Sequence, residues 1–520
     1  MEKTKVTQKT TKNKKLKKKR TFRLHVLFIF VGIITNFYLI YRISQLGPIE
    51  PVLRTVLIGL LLIIDFYFFY KKRKLKQGPA IFFMILFTIF NVVGASFIGR
   101  VYDSIDSINK SKIAYSSSLI VMNDSKVQSI DDVTNLKIGI SNDTLSIDNY
   151  VIAQEMIEEN KLDHDNEIIP YQDISEMLTD LYDGEIDSLF ISSNYPVMFQ
   201  QTVGFENIRN EVREIIHKDK TIKKEEYAST SGSSSVTKPF TVLLMGVDSE
   251  KDNLQRNAYA NGDSLILVTF NPHTLSATMM SIPRDSYLPI SCRNNQRNKL
   301  THAGWYGTDC MIETIENTFD VDIQYYVKVN FKGVVNLVNA LGGIEVEVPK
   351  RLCTDNSDRN GKICIDKGYQ TLNGEQALVL ARNRYDLAQG DIDRGYNQQL
   401  IIKAMIQKMT TIRDVNQLLS ILDTVSKNLD TNLTTDEILS FYNIFKEIIT
   451  TTNYQGGDVF FINQLRLTGT GKMIYYPSLK QDLWNYILDE DSIEEVSKEM
   501  KINLEEEEPV LIKEFHFSPS

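Results

Sequence analysis

Three long apolar runs crowd the first hundred residues, and beyond them the chain changes to short apolar stretches separated by polar turns. Leu24 to Tyr41 and Gly78 to Gly99 contain no Asp, Glu, Lys or Arg, and Pro51 to Tyr70 contains only Arg54 and Asp65. A helix needs ~20 residues to cross a hydrocarbon core, so each run predicts a membrane-spanning helix. One such stretch would suit a buried helix of a soluble protein; three in succession do not, and a signal peptide carries a single, shorter run. Lys12, Lys14, Lys15, Lys17, Lys18, Lys19, Arg20 and Arg23 precede the first run, and Lys71, Lys72, Arg73, Lys74 and Lys76 separate the second from the third. The opposite flanks carry only Arg42, Arg54 and Arg100. Because basic residues in short loops stay on the cytoplasmic side, residues 1–23 are expected to form a basic cytoplasmic arm and 24–100 a three-helix membrane anchor. Everything after about Arg100 is expected outside the cell.

The exported part reads as α/β. Between 101 and 220, Leu136 to Ile140 predicts a strand, Asp148 to Asn160 an amphipathic helix, and Ile168 to Pro170, Ser175 to Tyr182 and Ile186 to Ile191 a strand, helix and strand. That order implies a small parallel βαβ module. Its phrases "KIGI" and "EIIPYQDISEMLTDLYDGEIDSLFI" resemble half of a periplasmic solute-binding domain. It lacks a charged ligand clamp, which favours a spacer or partner-docking role over a transport receptor. Residues 221–238, charged and then Ser/Thr-rich, have a linker's composition. From 239 the apolar strands Phe240 to Asp248, Ser264 to Phe270 and Ser276 to Pro283 alternate with helical patterns at Cys310 to Phe319, Phe331 to Ala340, Gly374 to Arg382 and Arg394 to Ile412. Strands that are apolar on both faces predict a sheet covered by helices on both sides, an α/β/α sandwich over 239–412. Residues 413–488 are expected to complete it with helix and strand, and 489–520 to form an acidic, loosely packed tail.

Charge sharpens this division. The chain carries a net −8, yet residues 1–100 hold 19 Lys and Arg against 3 Asp and Glu, while the rest holds 39 against 63. A basic arm could bind nucleic acid, but beside a membrane anchor it suits a topogenic and headgroup-binding role. The acidic exported mass would repel DNA, which argues against a nucleic-acid partner. All four cysteines, Cys292, Cys310, Cys353 and Cys364, are exported, where disulfides persist. Their spacings of 18, 43 and 11 include no CxxC or nearby His pair, which disfavours zinc. Pairing Cys292 with Cys310 and Cys353 with Cys364 would staple one local loop each.

Three constellations carry candidate chemistry. Asp248 ends one strand and Asp263 precedes the next; carboxylates at adjacent strand ends can share a cation, and Mg²⁺ takes one or two of them with water and phosphate. Strand-end Asp residues also cap turns. In "SIPRDSYL", Arg284 follows a strand and Pro283, so its planar fork would reach from the sheet edge to grip phosphate oxygens, unless it forms only a surface ion pair with a loop residue such as Asp285. In "LARNRYDLAQGDIDRGYNQQ", Arg382 and Arg384 alternate as on a strand, and Arg394 and Gln398 share a helix face with Asp391 nearby. Converging guanidinium groups need an anion between them. A solvated charged face is the other account, although Lys would serve there and none occurs from Arg382 to Gln398.

These residues sit in blocks that resemble a known family. "LLMGVDS", "GDSLILVTFNP", "SIPRDSYLPI", "NKLTHAGWYG", "VKVNFKGVVNLVNALGGIEVEVP", "LNGEQALVLARNR" and "DIDRGYNQQ" follow the order and spacing of the LytR-CpsA-Psr (LCP) family, from about Phe240 to Met409. The three-helix anchor resembles that family's capsule-linked, CpsA-like branch. The resemblance implies a phosphotransferase that moves an anionic glycopolymer, such as teichoic acid or capsule, from undecaprenyl pyrophosphate to peptidoglycan. It implies Mg²⁺ (or Mn²⁺) at Asp248 and Asp263, and diphosphate binding by Arg284, Arg382, Arg384, Arg394 and Gln398. Arg284, Asp391 and Arg394 would be catalytic, and the lipid would lie in an apolar tunnel that Phe331, Val335 and Val338 line unless they are core. Capsule or cell-wall synthesis proteins are further expected partners. Asn261, Glu250 and Asn397 stand where the family commonly has Arg, and each removes positive charge near the diphosphate. Two alternatives stay open: a non-catalytic scaffold or sensor that holds the lipid, and a pyrophosphate hydrolase.

Overall fold

The computed structural model describes residues 2–47, 49–71, 77–108, 112–144, 146–199, 202–223, 238–247, 262–354, 362–383, 387, 390–412, 415–455 and 461–505. They divide into two compact units. The first contains the helices Glu2–Ser44, Pro51–Lys71 and Gln77–Ile108. Within them Arg23–Ser44, Pro51–Lys71 and Gly78–Ser107 are long and apolar enough to span a membrane. Large apolar side chains such as Ile34, Phe66 and Phe90 point outward, as lipid-facing residues do. Between the helices, contact depends on close approach and polar pairs: a Cβ on Gly32 would meet Met84 Cε at 2.1 Å. The one acid of the second run, Asp65, is buried and accepts from Asn36 Nδ2 at 2.8 Å.

Thr434–Glu447 belongs to this same unit. Thr435 Oγ1 donates to Asp106 Oδ1 at 3.1 Å, and Lys446 pairs with Glu50, 396 residues away in the chain. The expectation that 413–488 only completes the α/β domain is therefore corrected: half of the helix Thr435–Gln455 packs with the anchor.

Among the described residues the second unit contains a five-stranded and a six-stranded sheet together with four two-stranded ones. In the first, strands run in the order Glu167–Tyr171, Lys137–Ser141, Ser188–Ser192, Lys112–Met122, Val212–Lys223. The first three are parallel; the last two add antiparallel. The last of these strands escapes the hydrophobic pattern because charged and apolar residues mix along it, as "VREIIHKDKTIK". The helix Ile174–Asp183 starts where Asp173 accepts from Ser175 N, ends at Gly184 with φ of 75°, and buries Ile174, Met177, Leu178 and Leu181. That apolar face belongs to a cluster with Trp305, Tyr476, Leu479 and Leu483. The module therefore packs on later residues of its own unit, with Thr179 Oγ1 donating to Ser478 O at 2.9 Å.

The second sheet runs in the order Leu429–Thr431, Tyr325–Asn330, Phe240–Val247, Gly262–Asn271, Ser276–Ile282, Phe461–Leu465. It is mixed, with parallel pairing of Tyr325–Asn330 to Phe240–Val247 and of Phe461–Leu465 to Ser276–Ile282. Strand residues alternate faces. Leu243, Met245, Leu265, Leu267, Met280 and Ile282 pack on one side against Met311, Ile315, Phe319, Val496 and Met500. On the other side the helix Asp391–Thr411 lies so close that a Cβ on Gly395 would be 2.7 Å from Ser281 Cβ.

Cys292 is bonded to Cys310 and Cys353 to Cys364. The expected loose acidic tail is corrected over 490–505: Glu490–Glu505 is a helix whose Val496 and Met500 enter the core and whose Asn503 Nδ2 donates to Thr269 Oγ1 at 2.9 Å. Its acids occupy the outer face of an amphipathic helix; a high acidic fraction therefore hid an apolar stripe at Ile493, Val496 and Met500. Val338, offered as a tunnel residue, is fully buried among Leu341, Ile344, Val346 and Leu380.

Candidate functional site

Asp263 is aimed by a break in strand pairing. Gly246 faces Ser264 and Val247 faces Gly262, so Asp263 is the extra residue of a bulge, a device that redirects a side chain and recurs beside active sites. Gly246 permits it, since a Cβ there would sit 2.8 Å from Ser264 Cβ. The buried Asp263 carboxylate accepts from Arg284 Nη1.

Arg284 leaves the end of Ser276–Ile282 in a turn in which Ser286 N donates to Pro283 O at 3.0 Å. Thr301 N donates to Arg284 O at 2.9 Å and Tyr486 N donates to Asp285 O at 2.9 Å, tying the turn to two other elements. Arg284 is 9% exposed. Burial alone would lower its pKa, but Asp263, Asp285 and Asp391 together hold it above the ordinary guanidinium value. Asp285 is itself shared with Lys299, Nζ to Oδ1 at 2.8 Å.

Arg394 arrives from the first turn of Asp391–Thr411. Gly390, with φ of 51°, starts that helix in a backbone region that favours glycine. Arg394 Nη2 donates to the Asp263 carbonyl at 2.9 Å and lies 2.6 Å from Asp391 Oδ1. Two arginines and two aspartates from three elements therefore meet at one point, beside a helix N-terminus whose dipole favours anions. Asp263, Asp391 and Arg394 border a cavity of about 470 Å³ that Ser281, Pro283 and Asn397 also line; Arg284, bonded to Asp263, is not one of its lining residues.

The remaining candidates divide. Gln398 lines the cavity, but its amide bridges protein groups, accepting from Ser264 Oγ at 2.7 Å and donating to Ala381 O at 3.0 Å. Arg382 ends the helix Gly374–Arg382, which corrects the strand-like alternation expected with Arg384. It is exposed, with its guanidinium 4.9 Å over the Phe331 ring. Asp248, Arg384, Asn261 and Glu250 lie outside the described residues. Among the described residues no cluster of three or more His, Cys, Asp or Glu forms a metal site by itself. Asn397 is buried on the cavity wall, and its Nδ2 has no hydrogen-bond partner among the described residues. Lys350 and Arg466 also line the cavity and were missed by the sequence reading. Arg466 directly follows a strand parallel to the one before Arg284, with Leu465 opposite Met280, a pairing that only the fold reveals.

His302 supports the Arg284 turn from behind. It is buried, its Nδ1 is 2.7 Å from Asn298 Oδ1, and its ring stacks on Trp305 with centroids 3.8 Å apart. Burial, with repulsion from Lys299 and Arg284, holds its pKa well below the ordinary imidazole value of 6.5. The unfolded chain gains a proton below that value and the folded ring does not, so stability is full above pH ~6.5 and falls as pH drops, by up to ~1.4 kcal/mol per unit. A His302→Asn variant should lose this part of the acid sensitivity, read as the change in thermal midpoint between two pH values on either side of the imidazole range; an unchanged difference would count against it.

A profile of the LytR_cpsA_psr family matches residues 203–502, a span that includes every described residue of this site. The chain belongs to that family. The match continues past the aspartate and arginine blocks into the C-terminal helix, in keeping with that helix's place in the core. An uncharacterised protein of Staphylococcus aureus is 38% identical over 206 residues, 38% of this chain; the chain spans 50% of that relative's length. The polyisoprenyl-teichoic acid–peptidoglycan teichoic acid transferase TagU of Enterococcus faecalis is 34% identical over 290 residues, 55% of this chain and 87% of that one. The crystal structure of Bacillus subtilis TagV covers 52% of this chain and 98% of its own, at 30% identity and a TM-score of 0.42.

Proposed function

We propose that this chain is a glycopolymer transferase that moves an anionic polymer from undecaprenyl pyrophosphate to peptidoglycan. The observation that carries the reading is the meeting of Arg284 and Arg394 at Asp263, with Asp263 and Arg394 on the wall of one cavity. Each guanidinium is presently balanced by carboxylates, a stored arrangement that an incoming diphosphate can take over with stronger, bidentate contacts. The buried Asn397 amide offers such an anion one more donor.

In the reaction a peptidoglycan hydroxyl attacks the sugar-linked phosphorus, the new P–O bond forms, and undecaprenyl phosphate leaves with the bridging electrons. Arg284 and Arg394 stabilise charge growing on the phosphoryl and bridging oxygens, with no reorganisation needed at that moment. Asp391 holds Arg394 in place and is the nearest candidate to accept the hydroxyl proton. When a diphosphate claims the arginine N–H groups, Asp263 and its neighbours need a new counter-charge, which suits a divalent ion shared with phosphate. Mg²⁺ (or Mn²⁺) would be held by Asp263 together with Asp248, the residue after Phe240–Val247, and would neutralise phosphate charge there. A cytoplasmic N-terminus, an extracellular catalytic domain and teichoic acid or capsule as the polymer complete the proposal.

Full-length protein in detergent, given Mg²⁺, a polyprenyl-diphosphate saccharide and peptidoglycan, should release polyprenyl phosphate only when acceptor is present. Tight lipid binding without release would make it a scaffold; release without acceptor would make it a hydrolase.

A further inference from the structure

Beside the arginine cleft lies a shallower hollow of about 780 Å³ that also reaches Asp391 and adds Asp285, Thr468, Trp484 and Tyr486. Its floor is the hairpin of Gly469–Tyr476 paired with Gln481–Leu488. One face of this hairpin is core, with Tyr476 and Leu483 buried and Ile474 packed against them. The other pairs Gly469, Gly471, Met473 and Tyr475 with Leu488, Tyr486, Trp484 and Asp482; Leu488 and Tyr486 are buried in the main core, whereas Met473, Tyr475 and Trp484 are exposed. Two glycines shape that face. A Cβ on Gly471 would stand 2.8 Å from Trp484 Nε1 and 3.1 Å from Cε2 and Cζ2, and one on Gly469 would stand 2.9 Å from Tyr486 Cε1. The indole therefore lies flat on bare backbone, with Trp484 45% exposed. The Trp484 and Tyr486 rings are 6.2 Å apart and inclined by only 29°. Most tryptophans bury such area; here a strand omits two side chains and leaves the ring open.

We infer that the exposed Trp484, backed by the buried Tyr486, forms a sugar subsite that stacks a pyranose of the acceptor glycan, a reading that rests on the transferase function proposed above. A pyranose has a C–H face that suits a flat aromatic and a polar rim that needs donors and acceptors; Arg466, Asp285 and Thr468 line the same hollow. The hairpin is joined to the Arg284 turn by Tyr486 N donating to Asp285 O at 2.9 Å and by the Ser286–Tyr486 bridge. A sugar on this platform would therefore be held in register with the phosphorus and near Asp391, where its hydroxyl must approach. Met473 and Tyr475, both exposed, extend the track along the hairpin for a longer polymer.

The test is calorimetric titration of the full-length protein in detergent with a peptidoglycan tetrasaccharide, without lipid donor, so that a failure of transfer chemistry leaves the measurement intact. Wild type should bind; Trp484→Ala should bind about tenfold more weakly or worse, and Trp484→Phe should recover most of the loss. Gly471→Val should weaken binding similarly although the indole remains, because it dislodges the ring. Polyprenyl-diphosphate binding should be unchanged in all three. Equal saccharide affinity in wild type, Trp484→Ala and Gly471→Val overturns the inference. So does absence of saccharide binding by wild type, or a loss confined to co-sedimentation with phosphatidylglycerol vesicles, which would make the stripe a membrane contact.

Discussion

Arg284→Ala is expected to lower kcat/KM for transfer by about 10²- to 10³-fold, the usual loss when one well-placed donor is removed from a preorganised anion site. The same change should destabilise the fold, because it leaves the buried Asp263 carboxylate without its guanidinium partner; breaking one side of a buried pair costs ~3–5 kcal/mol. Arg284→Lys separates the two effects. A lysine restores a positive charge near Asp263 and much of the stability, but it lacks the planar fork that spans two phosphate oxygens, so most of the rate loss should persist. Urea unfolding and steady-state transfer on the same preparations provide the comparison. Wild-type kcat/KM in Arg284→Ala would remove this residue from the mechanism, whatever its effect on stability.

Trp305→Ala is expected to cost ~3–5 kcal/mol, the range for deleting a fully buried large aromatic. Trp305 is 1% exposed, and its ring stacks on His302 and sits 4.8 Å from Phe199 of the accessory module. It lies in a core that joins the five-stranded sheet to the hairpin of Gly469–Tyr476 and Gln481–Leu488, so its loss should uncouple the accessory module from the rest of the unit: one cooperative unfolding transition should divide into two. Because His302 and Thr301 back the Arg284 turn, kcat should also fall, by less than in Arg284→Ala and without loss of the diphosphate contacts themselves. A single transition within a degree of wild type would show that the shared core contributes no coupling.

The parts of this protein that were legible in the sequence are those governed by neighbours along the chain. Three apolar runs are long enough to span a membrane whatever else the chain does. The strands Phe240–Val247, Gly262–Asn271 and Ser276–Ile282 announce themselves by short apolar runs, and each disulfide closes a short loop. The aspartate and arginine blocks were legible as chemistry, since few structural needs call for repeated Arg with no Lys among them.

Convergence was not legible. Arg394 reaches Asp263 from 131 residues away, and only the Gly395–Ser281 approach and the bulge at Asp263 bring them together. Arg382, equal to its neighbours in sequence, instead ends a helix over Phe331. Arg466 joins the site from beyond the recognisable blocks, and the helix Glu490–Glu505 looked like solvated tail until its apolar stripe met the sheet. The chain by itself determined the anchor, the strands and the types of reactive side chain; the tertiary structure alone decided which of them share a site. Periodicity reports local burial, whereas bulges, close glycine contacts and pairings across hundreds of residues depend on how finished elements pack.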